Sequence, residues 1–273
     1  MCRRSASRTR RAGLLVWVGW VLVFLCAGAA PKAGDQPTPS DTPDREAFVA
    51  GTRKDCRGCD LRAAMLKRRD LSGADLTGAD LSGAVLHRAK LANARLDHAK
   101  LQDANLNKAD LKRASLTGAD LTGALLYGAD LSGAQLEGAV MTQVRMAHSR
   151  LTRAVLRGAD LSLSTMMDAE MAGSDLSHAT LKQSNLSGAN LSRCDFSAAV
   201  LDGAGFVRAR LKDAKLRGVS AKQADFYEAN LSGSDLTNAD FRGSRLQQAD
   251  LDGAVTDGIK TKGAVLVDGA IGQ

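Results

Sequence analysis

The feature that most restricts how this chain can fold is a period of five. From Leu61 to Leu251 every fifth residue is apolar, without an insertion, over 39 consecutive positions. Leu holds most of these centres, and Met141, Met146, Met166, Met171, Phe196, Phe206, Phe226, Phe241 and Ala221 hold the rest. Two residues before nearly every centre stands a small residue, most often Ala. Asp or Asn frequently precedes the centre (Asp75, Asp80, Asn105, Asn190), and Gly recurs two residues after it (Gly73, Gly78, Gly83). On an α-helix, five residues advance by ~500°, so successive centres rotate by ~140° and form no stripe. On a flat strand an odd spacing sends them to alternate faces. Neither element buries the whole series. A chain that turns a corner every five residues does, with each centre and its small companion pointing inward. Stacked coils then pair edge to edge at ~4.8 Å.

The expected core ladder runs through Leu61, Leu66, Leu71, Leu76, Leu81, Leu131, Met146, Met166, Phe206 and Phe226. Units such as AlaAspLeuSerGly at 79–83 and AlaAspLeuThrGly at 119–123 resemble the A-(D/N)-L-x-x motif of the pentapeptide-repeat family. The resemblance implies an all-β fold, a right-handed quadrilateral β-helix with four pentapeptides per coil. The 39 units then give about ten coils and a rod of roughly 47 Å. The repeat domain is expected over 56–253, with 254–273 as a degraded last coil and C-terminal cap. In that cap Thr256, Thr261, Leu266 and Ile271 keep the register. A solenoid needs both ends covered, and Ala47-Phe48-Val49 is the apolar cluster available at the N-terminal end.

Charge places the chain in a compartment. It carries 37 Lys+Arg against 30 Asp+Glu, but Arg3, Arg4, Arg8, Arg10 and Arg11 all precede an uncharged run at 12–30. Without them the remainder is close to neutral. A basic start, an apolar run and the small residues Ala27-Gly28-Ala29 read as a signal peptide over 1–29, cleaved before Ala30. The alternative is a retained membrane anchor, since nineteen uncharged residues fall within the ~17–25 that span a bilayer. Either way the arginines stay cytoplasmic and the repeat domain is exported, to the periplasm or beyond. Residues 30–55 hold every Pro and read as a flexible spacer and N-terminal cap.

Chemistry is sparse. Cys56-Arg57-Gly58-Cys59 puts one Cys on a centre and the next on a small inward position. It reads as a structural disulfide, as two packed thiols, or as a redox or metal pair. The redox reading lacks a helix N-terminus, and zinc lacks a second ligand pair. The family often opens its repeats with a similar C-x-x-C, which implies a structural role. His87, His98, His148 and His178 fall at outward positions, and His98 and His178 are four coils, ~19 Å, apart. No catalytic constellation, cofactor site or metal site is expected. Two basic stretches, Arg145 to Arg157 and Arg208 to Arg217, read as a solvated mixed-charge surface, with binding of anionic envelope polymers as the alternative.

The expected function is a non-catalytic exported scaffold whose faces bind a protein or an anionic envelope component, with a homodimer among the expected assemblies. Membrane contact is expected only through an uncleaved N-terminal segment. Two alternatives remain. A redox protein would use Cys56 and Cys59. A DNA-mimicking topoisomerase binder, a role some members of the family have, needs an acidic surface and a cytoplasmic location, so no nucleic-acid role is expected here.

Overall fold

The structure, a computed structural model, describes residues 43–273. The signal segment 1–29, with Ala27 and Ala29 and the cleavage point before Ala30, lies outside them, as does the first part of the spacer. From Asp55↔Asp75 to Arg245↔Val265, 39 isolated parallel bridges each join residues twenty apart. One coil is therefore four five-residue units, and about ten coils stack into a right-handed quadrilateral β-helix.

The hydrogen-bond pattern within each unit explains its sequence. The centre N–H donates to the next coil, as Leu61 does to Asp80 O at 2.7 Å. The residue two after the centre does likewise, as Ala63 does to Ser82 O at 2.9 Å. The small inward residue closes a β-turn, with Ala64 N–H donating to Leu61 O at 3.0 Å. The residue before the centre donates to the preceding coil, as Asp80 does to Cys59 O at 2.9 Å. One N–H per unit, just after the centre, has no backbone acceptor. The Asp or Asn before the centre accepts it: Asp130 Oδ1 lies 3.1 Å from Ser132 N, and Asp120 Oδ1 2.9 Å from Thr122 N. The recurrent Asp and Asn thus satisfy a backbone donor that the ladder leaves over. Where Ser115 and Ser220 replace it, Asp97 and Asp202 of the preceding coil accept the Thr117 and Lys222 N–H instead.

Each turn carries a positive φ at its second central residue, the type II pattern. Every such position from Gly58 to Gly263 has φ between +52° and +73°, and 23 of them hold a residue other than Gly. Gly is therefore favoured there but not required.

The core is one continuous column. The ladder residues Leu61, Leu66, Leu71, Leu76, Leu81, Leu131, Met146, Met166, Phe206 and Phe226 are all at most 3% exposed. Toward the C-terminal half Phe206 and Phe226 stack with ring centroids 4.7 Å apart, flanked by Phe196 at 6.3 Å and Phe241 at 5.1 Å. Five of the six buried Ser in the small slots return their hydroxyls to carbonyls, as Ser149 does to Met146 O at 2.7 Å, and Ser234 is the exception.

Neither end is built on the five-residue repeat. Within the expected spacer, Pro43–Ala50 forms helix α1, and Phe48 from it is fully buried in the core cluster. Pro suits the first helical position, and Gly51, at φ +84°, ends the helix in a Schellman motif. Its two bonds run from Gly51 N to Phe48 O (2.9 Å) and from Thr52 N to Ala47 O (3.0 Å). At the other end the register stops before Ile271. The chain reverses at Gly269, Val265 pairs antiparallel with Ile271, and Ile271 is 62% exposed rather than inward.

Candidate functional surface

Cys56 and Cys59 are joined in a disulfide with a Cα–Cα distance of 5.2 Å, across the first β-turn of the first coil. Both residues are buried, and the bond lies in a turn rather than at a helix N-terminus. Cys194 fills an Ala slot as a free thiol. Burial pushes its pKa up to about 12, and its Sγ contacts Met171 O at 3.0 Å, so it is a packing residue. Met141, Met146, Met166 and Met171 are fully buried and Met167 is 40% exposed. Among the described residues no group of three or more His, Cys, Asp or Glu gathers as a metal site.

The two basic stretches do not form patches. Five consecutive residues occupy one side of the rod and the next five the adjacent side, so a linear run winds around the helix. Most of its cations meet an acid one coil away. Arg157 lies 2.7 Å from Asp175, Arg208 3.0 Å from Glu228 and Lys215 3.2 Å from Asp195, while Arg210 reaches back two coils to Glu170 at 3.4 Å. These side chains are exposed, and such pairs contribute little stability but do neutralise the surface.

What shares a face is every fourth unit. The faces are named here by their first full centres: Leu61, Leu66, Leu71 and Leu76. On the Leu66 face, the first five coils present Lys67, Arg68, His87, Arg88, Lys108, Arg145 and His148. No Asp or Glu stands among them; every acid from Asp55 to Glu137 belongs to the other three faces. Arg68, Arg88 and Lys108 hold the same turn position in successive coils and stack at ~4.8 Å intervals. Between the cations stand outward apolar side chains. Met65 is 70% exposed and Tyr127 48%, the latter packed edge-on against His148 at 5.4 Å. Asp168, in the sixth coil, is the first acid on this face, and its Oδ2 lies 3.9 Å from His148 Nδ1.

Linear inspection misses this surface because its members are twenty residues apart. Writing the repeat in rows of twenty would have shown it. Of the four His, the structure brings His87 and His148 onto this face and leaves His98 and His178 on the opposite one.

Among the described residues no helix is long and apolar enough to cross a membrane. Among curated proteins, none matches the chain. A family model, pentapeptide repeats, matches in eight copies across residues 55–91, 70–107, 104–143, 145–188, 181–218 and 222–255. Among solved structures, the chain is similar to HetL, a pentapeptide repeat protein involved in heterocyst differentiation regulation in the cyanobacterium Nostoc sp. strain PCC 7120. The two are 32% identical, with a TM-score of 0.52 over 83% of this chain and 96% of that one. QnrB1, a plasmid-mediated fluoroquinolone resistance protein, is 20% identical with a TM-score of 0.44, over 61% of this chain and 88% of that one. The repeat units seen in the sequence, the twenty-residue coil and the family match over most of the chain lead to one assignment: the chain belongs to the pentapeptide-repeat family.

Proposed function

We propose that the chain is an exported, non-catalytic scaffold that binds a partner through the sides of its rigid β-helix, chiefly through the Leu66 face. One observation carries the reading: over five coils this face stacks cations, of which Lys67, Arg68, Arg88, Lys108 and Arg145 make no ion pair among the described residues, beside exposed apolar side chains, while the other faces intersperse acids with bases. Exposed apolar residues rimmed by charge mark interaction surfaces. The export half rests on the basic start and uncharged run of residues 1–30. DNA mimicry needs stacked carboxylates where this face stacks cations.

The test is capture of the full chain through a C-terminal tag after cell fractionation. The expected result is recovery from the extracytoplasmic fraction with a bound component that a charge-reversed Leu66 face no longer retains. Recovery from the cytosol would overturn the export reading and reopen DNA mimicry.

A further inference from the structure

The Leu66 face combines three properties that a soluble partner does not require together. It is regular, because each coil contributes the same short bridge segment and turn in register with the coil before it. It is cationic without internal neutralisation: Lys67, Arg68, Arg88, Lys108 and Arg145 make no ion pair among the described residues, whereas Arg208, at the same turn position farther along, faces Glu228 at 3.0 Å. It also presents apolar side chains at the level of the charges, with Met65 among the first coil's cations and Tyr127 above Lys108. His87 registers the shared field. Its protonation is disfavoured first by desolvation and then by Arg88, Lys67, Lys108 and Arg68 around it.

Building on the reading above, we propose that the Leu66 face docks on the surface of an anionic phospholipid bilayer. Stacked cations would meet the phosphate headgroups while Met65 and Tyr127 enter the headgroup–acyl boundary. Charge complementarity selects an anionic surface. The apolar side chains select a bilayer over a hydrophilic polymer, which would use the cations and leave Met65 and Tyr127 in water. Tyr suits that boundary because its ring is apolar and its hydroxyl polar. The position along the chain agrees, since the cationic coils are the first to follow the uncharged run at 12–30. Where that run is retained as an anchor, the docking face adds to it, since two weak attachments together hold more firmly than either alone.

The test uses the full chain and vesicles of phosphatidylcholine alone or with phosphatidylglycerol. The readout is the ratio of partitioning onto the two, so that contributions independent of lipid charge cancel. The face variant is Arg68→Gln, Arg88→Gln and Lys108→Gln; Gln already occupies this turn position at Gln143, Gln183, Gln223 and Gln248, at φ from +55° to +60°. The control is Arg57→Gln, Arg157→Gln and Arg217→Gln on the opposite face, which removes the same charge and leaves the basic N-terminus untouched. The expected result is a preference for phosphatidylglycerol that falls by at least ~10-fold in the face variant and little in the control, and that weakens as salt rises. Met65→Ser with Tyr127→Ser should weaken binding to the anionic vesicles and leave binding to soluble polyphosphate unchanged. Equal loss in the face variant and the control, or indifference of vesicle binding to the Met65 and Tyr127 changes, would overturn lipid docking. Extracytoplasmic recovery with a protein partner would in that case leave the scaffold reading standing.

Discussion

At the scale of the residue, each position of the five has a separate physical task. The centre fills the column, the small residue two before it gives the column room, and the residue two after it must accept a left-handed turn. Asp or Asn before the centre covers the one N–H that the ladder leaves over. This last task makes the fold sensitive to acid. Asp60 is held down to about 2 by the Arg62 side chain and then by the Arg62 N–H. Asp240 is likewise held to about 2, chiefly by the Arg242 side chain. A folded-state value below the unfolded one stabilises at pH above ~4, and that stabilisation is lost as pH falls toward the folded value. The urea midpoint should therefore hold steady down to about pH 5 and drop between about pH 4 and 2. A midpoint that stays level to pH 2 would show that these carboxylates do not support the turns. The centres and inward positions were legible because a strict period leaves one geometry able to bury them. The role of the Asp was not, since it depends on knowing which N–H the coil leaves unpaired.

At the scale of the element, the two ends break the repeat, and there the sequence was read less well. Helix α1 has only eight residues, too few for apolar periodicity to declare it, although Pro43 and Gly51 bracket it as helix boundaries. Arg69 carries a second unread signal. It is the one charged residue in a small inward slot, and its guanidinium donates to Val49 O in the last turn of α1, where a cation also favours the helix dipole. Gly51→Ala tests this joint. A Cβ there would sit at a left-handed φ and 2.7 Å from Arg69 Nη2. The expected loss is about 1 kcal/mol or more, read as a fall in Tm of a few degrees together with easier proteolysis near α1. An unchanged Tm would mean that α1 does not cap the first coil. At the C-terminal end Ile271 misled because the five-residue count continues through a segment whose backbone has already reversed at Gly269.

At the scale of the whole molecule, function depends on a second period laid over the first. Five residues decide whether a side chain points in or out; twenty decide which side of the rod it faces. The basic runs at Arg145–Arg157 and Arg208–Arg217 looked like patches only along the chain, and the fold spreads them over three faces. The Leu66 face collects Arg68, Arg88 and Lys108 from separate coils into one cationic ladder. That assembly is tested most directly by paired cysteines treated with a short thiol cross-linker and mapped by peptide mass. Arg88→Cys with Lys108→Cys places two outward thiols one coil apart, at a Cα separation of ~4.8 Å. Arg88→Cys with Arg113→Cys moves the second thiol one unit onward, to the next face. The expected result is efficient cross-linking of 88 to 108 and little of 88 to 113. Comparable or preferential linkage of 88 to 113 would contradict the twenty-residue coil and dissolve the cationic face.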